Sequence, residues 1–274
     1  MVEQLSTLFG YDFVRNAFVA GSIAAILGAV VGYFVIIRNV GFAAHALAHI
    51  GFTGATGAAL FAFSPLQGML FISCLAGALM GISGNKLHRS ELAVGMVLSF
   101  ALGVGTLFLA LYQGFAGQAT SILFGNIFGV SGSQIKEALV LAVLSLGCLA
   151  LFSRRLLFAS LQPDLAESRG VSLTSLSASF MIILAIAVTL ASQVVGILLV
   201  FTLVIGPAGI AARLCRGFWT AMGLSILIAI GAVWIGILLA CLSNWPPSFW
   251  ITGILFVLYL ATEILCRFVL RLER

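Results

Sequence analysis

The sequence predicts an all-α polytopic membrane protein with about nine transmembrane helices, forming one membrane domain over residues 1–274. Three observations predict it. Only 8% of the residues are charged and 62% are hydrophobic, with a mean hydropathy of +1.23, whereas a soluble domain keeps roughly a quarter of its residues charged. The apolar residues are gathered into runs close to the roughly 20 residues that a helix needs to cross a bilayer. The alternating segments of a membrane β-barrel, about ten residues each, are absent.

The runs lie at about 16–37, 46–63, 66–83, 91–113, 136–153, 175–193, 195–212, 219–241 and 248–268. The first follows Asp12 and Arg15 and stops at Arg38 and Asn39. The second ends before Ser64 and Pro65, which open the third, and the fourth follows the Lys86, His88 and Arg89 cluster. Gly, Pro, Asn or clustered charge marks the later breaks too, as helix ends require. The N-terminus carries Glu3 and Asp12 with no cationic stretch ahead of its apolar run, so it does not read as a cleaved signal.

Cations orient the bundle. With nine spans and a cytoplasmic C-terminus, the N-terminus is outside. Arg38, Lys86, Arg89, Arg154, Arg155, Arg169, Arg213, Arg216, Arg267, Arg271 and Arg274 then fall inside, and only Arg15 and Lys136 outside. Eleven against two is the bias expected of inner-membrane topology. The net charge of +5 comes from these scattered cations, not from a basic face, which argues against nucleic acid as a partner.

Two connections stand out. Gly114–Ile135 is too broken to span yet too apolar for a solvated loop, so it reads as a re-entrant or surface helix covered by other protein. Ser153–Leu176 is the longest inside connection, and Pro163 followed by Asp164, Leu165, Ala166 and Glu167 gives a compact helix start. That short helix on the inner face suits docking of a soluble partner. The glycine pairs Gly28/Gly32 and Gly77/Gly81 and the series Gly51, Gly54, Gly57 read as close helix contacts. Cys74, Cys148, Cys215, Cys241 and Cys266 form no C-x-x-C pair and read as small core residues.

Ionisable groups inside spans are the candidates for chemistry. His45 and His49 are four apart, so on a helix they share a face, one turn above the other. Imidazoles at that spacing suit zinc and similar divalent ions; the alternative is an interfacial His45 with His49 bonded to a neighbouring helix. Glu263 either pairs with Arg267 one turn on or contacts metal. His88 reads as a solvated loop residue. No G-x-x-x-x-G-K-[ST] motif and no recognisable catalytic constellation occur, so the chain is expected not to be an enzyme, and any ATP must be hydrolysed by another subunit.

Four ordered landmarks carry a family resemblance over nearly the whole chain: the Arg38-ended span with A-L-A-H-I-G-F-T-G-A around His49, I-L-F-G-N-I-F-G-V at Ile122–Val130, Q-P-D-L-A-E-S-R-G-V at Gln162–Val171, and V-V-G-I-L-L-V-F-T-L-V-I-G-P-A-G-I-A-A-R-L at Val194–Leu214. With them the chain resembles the permease family of metal-ion ABC importers, distantly related to iron-siderophore and vitamin B12 permeases. The resemblance implies a type II importer fold and a homodimer in the bacterial cytoplasmic membrane. It also implies an ABC ATPase dimer below and an extracytoplasmic metal-binding protein above. Gln162, Pro163, Asp164, Leu165, Ala166 and Glu167 would form the coupling helix. His49 matches a histidine beside the translocation path. At His45 the family usually carries aspartate, and imidazole there favours zinc, with manganese next. The competing expectations are an ion-gradient-driven secondary carrier or channel, and a structural membrane subunit.

Overall fold

The computed structural model describes residues 10–83, 91–112 and 121–272, all of it helix and connecting turns. The helices are α1 (Asp12–Ile37), α2 (Gly41–Leu60), α3 (Pro65–Ile82), α4 (Glu91–Leu111), α5 (Gly132–Leu161), α6 (Pro163–Ser168), α7 (Leu173–Val195), α8 (Val200–Leu214), α9 (Phe218–Ser243) and α10 (Pro247–Leu272). Among the described residues, seven helices are long and apolar enough to cross a membrane: α1, α3, α4, α5, α7, α9 and α10. Each of the nine expected runs contains a helix, but two of those helices fall short of that standard. α2 has the length, yet His45, His49 and its many glycines and alanines dilute its hydropathy. α8 has only 15 residues, because Gly196, at φ 85°, breaks the apolar run between it and α7.

Chain punctuation follows local chemistry. Arg38 caps α1, Asn39 takes a left-handed φ of 55°, and Val40 N–H bonds the Val35 carbonyl at 3.0 Å, closing a tight three-residue elbow before α2. Pro65 occupies the first turn of α3, where its missing N–H has no partner to lose. Ser131 and Gln134 form a capping box at the start of α5. α5 runs past Ser153 to Leu161, well beyond the expected apolar run, because its Arg, Leu and Ala residues favour helix and nothing interrupts it until Pro163.

α1 and α7 form the centre of the bundle, their apolar windows 67% and 72% buried, while α4 and α10 lie at the periphery at 11% and 17%. Since lipid tails give helices no hydrophobic drive to associate, contact rests on close packing at small residues. The glycines singled out by spacing serve that purpose. Gly32 abuts the Val204 backbone of α8, Gly54 abuts Gly68 of α3, Gly77 meets Met181 and Gly81 meets Ala178 of α7. Pro207 interrupts α8 four residues after Leu203, so the α1 glycines face a helix with a weakened backbone ladder.

The segment expected to be re-entrant is described from residue 121 on; 113–120 lie outside the described residues. A helical turn at 121–124 and a 3₁₀ turn (Ile127–Gly129) fold inward over the α7–α8 turn. Ile197 N–H bonds the Ile122 carbonyl at 3.4 Å, Leu198 N–H bonds Leu123 at 3.3 Å and Asn126 N–H bonds Gln193 at 3.3 Å. Gly125 (φ 79°) and Gly196 cross backbone to backbone, a contact with no room for a Cβ on either. Ile127 is buried to 2% exposure against α1. The short α8 is thus roofed by protein, which satisfies backbone groups that lipid cannot.

The cysteines are all free, and none is fully buried. Cys148 is exposed on α5 and the others are partly exposed, so the core role expected of them holds only in part. Lys86, His88 and Arg89 lie outside the described residues.

Candidate metal-translocation site

α2 presents His45 and His49 from one face, as the four-residue spacing requires, with ring centroids 4.5 Å apart and planes at 73°. Both are partly exposed on a helix whose neighbours Ala44, Ala46, Leu47, Ala48 and Ile50 are buried. The elbow at Arg38–Val40 and the α2–α3 contacts fix that face. Ser73 of α3 bonds the Leu47 carbonyl at 3.3 Å, Gly51 lies against Ser73, and Gly54 against Gly68. These contacts occupy the side of α2 turned away from the imidazoles.

The exposed side is walled by aromatic rings. Phe201 of α8 meets His45 edge to face, centroids 5.8 Å apart at 89°, and Phe42 lies 6.5 Å from it. Phe201 also opens a groove of roughly 670 Å³ between α8 and α10, lined by Ile205, Gly206, Phe249, Leu255 and Tyr259 among others. No spacing rule pointed to Phe201, because its partner is on another helix. The pair stands without a third ligand: among the described residues no group of three or more His, Cys, Asp or Glu side chains gathers within reach of a metal.

Glu263 lies elsewhere. It bridges α10 to α8, bonding Arg267 Nε at 3.0 Å one turn on and Arg213 across the helix interface. Arg213 also stacks on Tyr259, its Cζ 5.5 Å from the ring centroid, at the far end of the groove. The i, i+4 pairing with Arg267 was readable from spacing; the pairing with Arg213 was not, since it depends on how α8 and α10 cross. Glu263 is therefore engaged by two guanidinium groups and not brought to the histidines.

α6 is a six-residue helix between α5 and α7. Gln162, Pro163, Asp164, Leu165 and Glu167 are exposed, while Ala166 is fully buried and anchors it. Arg169 stacks over Phe158 of α5 at 5.6 Å, and Gly170, at φ 78°, turns the chain toward α7. The arrangement offers an apolar Leu165 flanked by two carboxylates.

These features match known proteins over most of the chain. Residues 10–266 match the ABC 3 transport family, and the chain belongs to that family. It is thus the membrane subunit of an ABC transporter, ATP hydrolysis residing in a separate subunit. An uncharacterized membrane protein of Synechocystis sp. is 27% identical over 241 residues, covering 88% of this chain and 85% of that protein. The manganese import system permease protein ScaB of Streptococcus gordonii is 25% identical over 236 residues, covering 86% and 84%. In structure, the chain resembles PsaBC from Streptococcus pneumoniae, solved in complex with Fab, with a TM-score of 0.85 at 22% identity, covering 96% of this chain and 95% of that one. The type II permease fold expected from the four landmarks is therefore present. Family membership leaves the ion-gradient carrier without support.

Proposed function

We propose that this chain is the pore-forming subunit of an ATP-driven importer of a divalent metal ion, with His45 and His49 as transient ligands of the cargo. The observation that carries the reading is the imidazole pair, rings 4.5 Å apart, on the partly exposed face of an otherwise buried helix. Zinc takes imidazole nitrogen at about 2.0–2.1 Å and prefers four ligands. Two imidazoles leave such an ion half coordinated, which suits a transit site that must also release it.

The donor set favours zinc, since two imidazoles suit it better than manganese, which takes carboxylate and carbonyl oxygen. A second reading, manganese, is favoured by the relatives: ScaB of Streptococcus gordonii and MntC of Listeria monocytogenes are both named for it. Orientation follows the cation bias, with the N-terminus outside, the C-terminus cytoplasmic and the protein in the bacterial inner membrane. α6, with Gln162, Pro163, Asp164, Leu165, Ala166 and Glu167, is the coupling helix seated on the ATPase dimer. An extracytoplasmic metal-binding protein delivers the ion from above.

The test is uptake into proteoliposomes holding the permease, its ATPase and its binding protein. ATP-dependent accumulation of zinc, with manganese as competitor, is expected. Accumulation by the permease alone, indifferent to ATP, would sink the importer reading.

A further inference from the structure

Arg38 ends α1 but reaches for a different helix. Its Nη2 donates to Ser177 Oγ at 3.4 Å, and its Cζ lies 5.1 Å from the centre of the Phe180 ring. Ser177 and Phe180 belong to the first eight residues of α7, the helix that follows α6 directly after residues 169–172. Phe180 is fully buried and leans on Phe34 of α1, centroids 6.4 Å apart. Among the described residues the ion pairs are Asp12–Arg15, Glu263–Arg213 and Glu263–Arg267, so no described carboxylate holds Arg38. A guanidinium held by a hydroxyl and an aromatic face joins helices; it does not neutralise a charge.

The backbone of Arg38 is as constrained as its side chain. It caps α1 in the elbow whose Asn39 N–H bonds the Ile36 carbonyl at 3.1 Å and whose Val40 N–H bonds Val35 at 3.0 Å. Val40 is buried to 5% exposure, and α2 begins at the next residue. No slack separates Arg38 from His45, seven residues on. A shift of the first turns of α7 is handed to α2, because the elbow has no loop to absorb it.

We propose that Arg38 is a positioning residue that relays displacement of α6, through Ser177 and Phe180 of α7, to the α1–α2 elbow and so to His45 and His49. The proposal rests on the importer reading, and it adds the physical link between the ATPase contact and the cargo ligands. Such a link requires an element with two discrete arrangements, and the proposal assigns that part to the joined ends of α1, α2 and α7.

The experiment compares wild type, Arg38→Met, Arg38→Lys and Phe180→Leu as complete transporters in proteoliposomes. It reads metal ions carried per ATP hydrolysed, with recovery of the assembled complex alongside. Arg38→Met is expected to assemble and hydrolyse ATP within roughly twofold of wild type while metal carried per ATP falls roughly tenfold. Arg38→Lys keeps the charge but loses the planar fork, and is expected to fall between the two. Should Arg38→Met fail to assemble, Arg38→Lys and Phe180→Leu give the same ratio. Assembled variants in which metal per ATP equals the wild-type value overturn the relay. In the same preparation, ATP-dependent wild-type uptake that His49→Ala abolishes shows the importer reading intact, so a normal Arg38 ratio then refutes the relay alone. A wild-type complex that carries no metal refutes both.

Discussion

Gly28 and Gly32 lie one turn apart on α1 and face the same residue of α8, yet alanine at the two sites should act in opposite directions. At Gly28 an added Cβ would lie 3.5 Å from Val204 Cγ2, an ordinary contact. At Gly32 it would overlap the Val204 carbonyl oxygen and lie 2.8 Å from its carbonyl carbon. Restoring a carbon contact of about 3.5 Å at Gly32 from 2.8 Å requires α1 and α8 to part by about 0.7 Å, and the oxygen requires more. Overpacking of this kind costs about 1–3 kcal/mol, whereas Gly→Ala inside an unobstructed helix gains about 0.5–1 kcal/mol. The two variants should therefore differ by roughly 2–4 kcal/mol, or roughly 5–15 °C in apparent Tm for a chain of this size. The assay is thermal unfolding of each purified variant in detergent, scanned at one rate because such unfolding is rarely reversible. Gly28→Ala is expected at or above wild type and Gly32→Ala well below. Equal melting of the two variants would refute the claim that backbone contact at Gly32 sets the α1–α8 spacing.

Other substitutions probe the remaining contacts. Glu263→Gln removes the carboxylate that holds Arg213 and Arg267; with Glu263 at 23% side-chain exposure the loss should be about 1 kcal/mol, read as a lower Tm with the KM for metal unchanged, and a raised KM would mean that Glu263 touches cargo. Gly125→Ala forces a side chain onto φ 79° against the Gly196 backbone; left-handed strain of about 1–2 kcal/mol plus the clash should free the 121–130 segment and speed its proteolysis in detergent, and unchanged proteolysis would argue against the crossing. Asp164→Lys reverses a carboxylate on the exposed face of α6; loss of ATPase co-purification or of coupled uptake is expected, whereas a bound and coupled ATPase would remove α6 from that interface.

The helices were legible because lipid imposes one rule on every span, and apolar length records it. The glycine contacts were legible for a related reason: Gly28, Gly32, Gly54, Gly77 and Gly81 carry the small-residue spacing that backbone approach demands. His45 and His49 were brought together by helical periodicity alone. What crosses between helices was not legible. Arg213 meeting Glu263, Phe201 meeting His45 and Arg38 meeting Phe180 each depend on rotation and tilt that no one-dimensional pattern encodes. The full length of α5 was missed because hydropathy ends at Ser153 while helix propensity continues to Leu161. The shortness of α8 was missed because the residues flanking Gly196 are as apolar as the span itself.

Metal preference in variants of His45 and His49 tests the central claim most directly. In the reconstituted complex, His49→Ala and His45→Ala should each lose most ATP-dependent zinc uptake. His45→Asp should restore uptake and shift preference from zinc toward manganese by roughly tenfold, as an oxygen ligand replaces imidazole. If both alanine variants carry zinc at the wild-type rate in an assembled complex, the histidine pair is structural, and the cargo passes elsewhere.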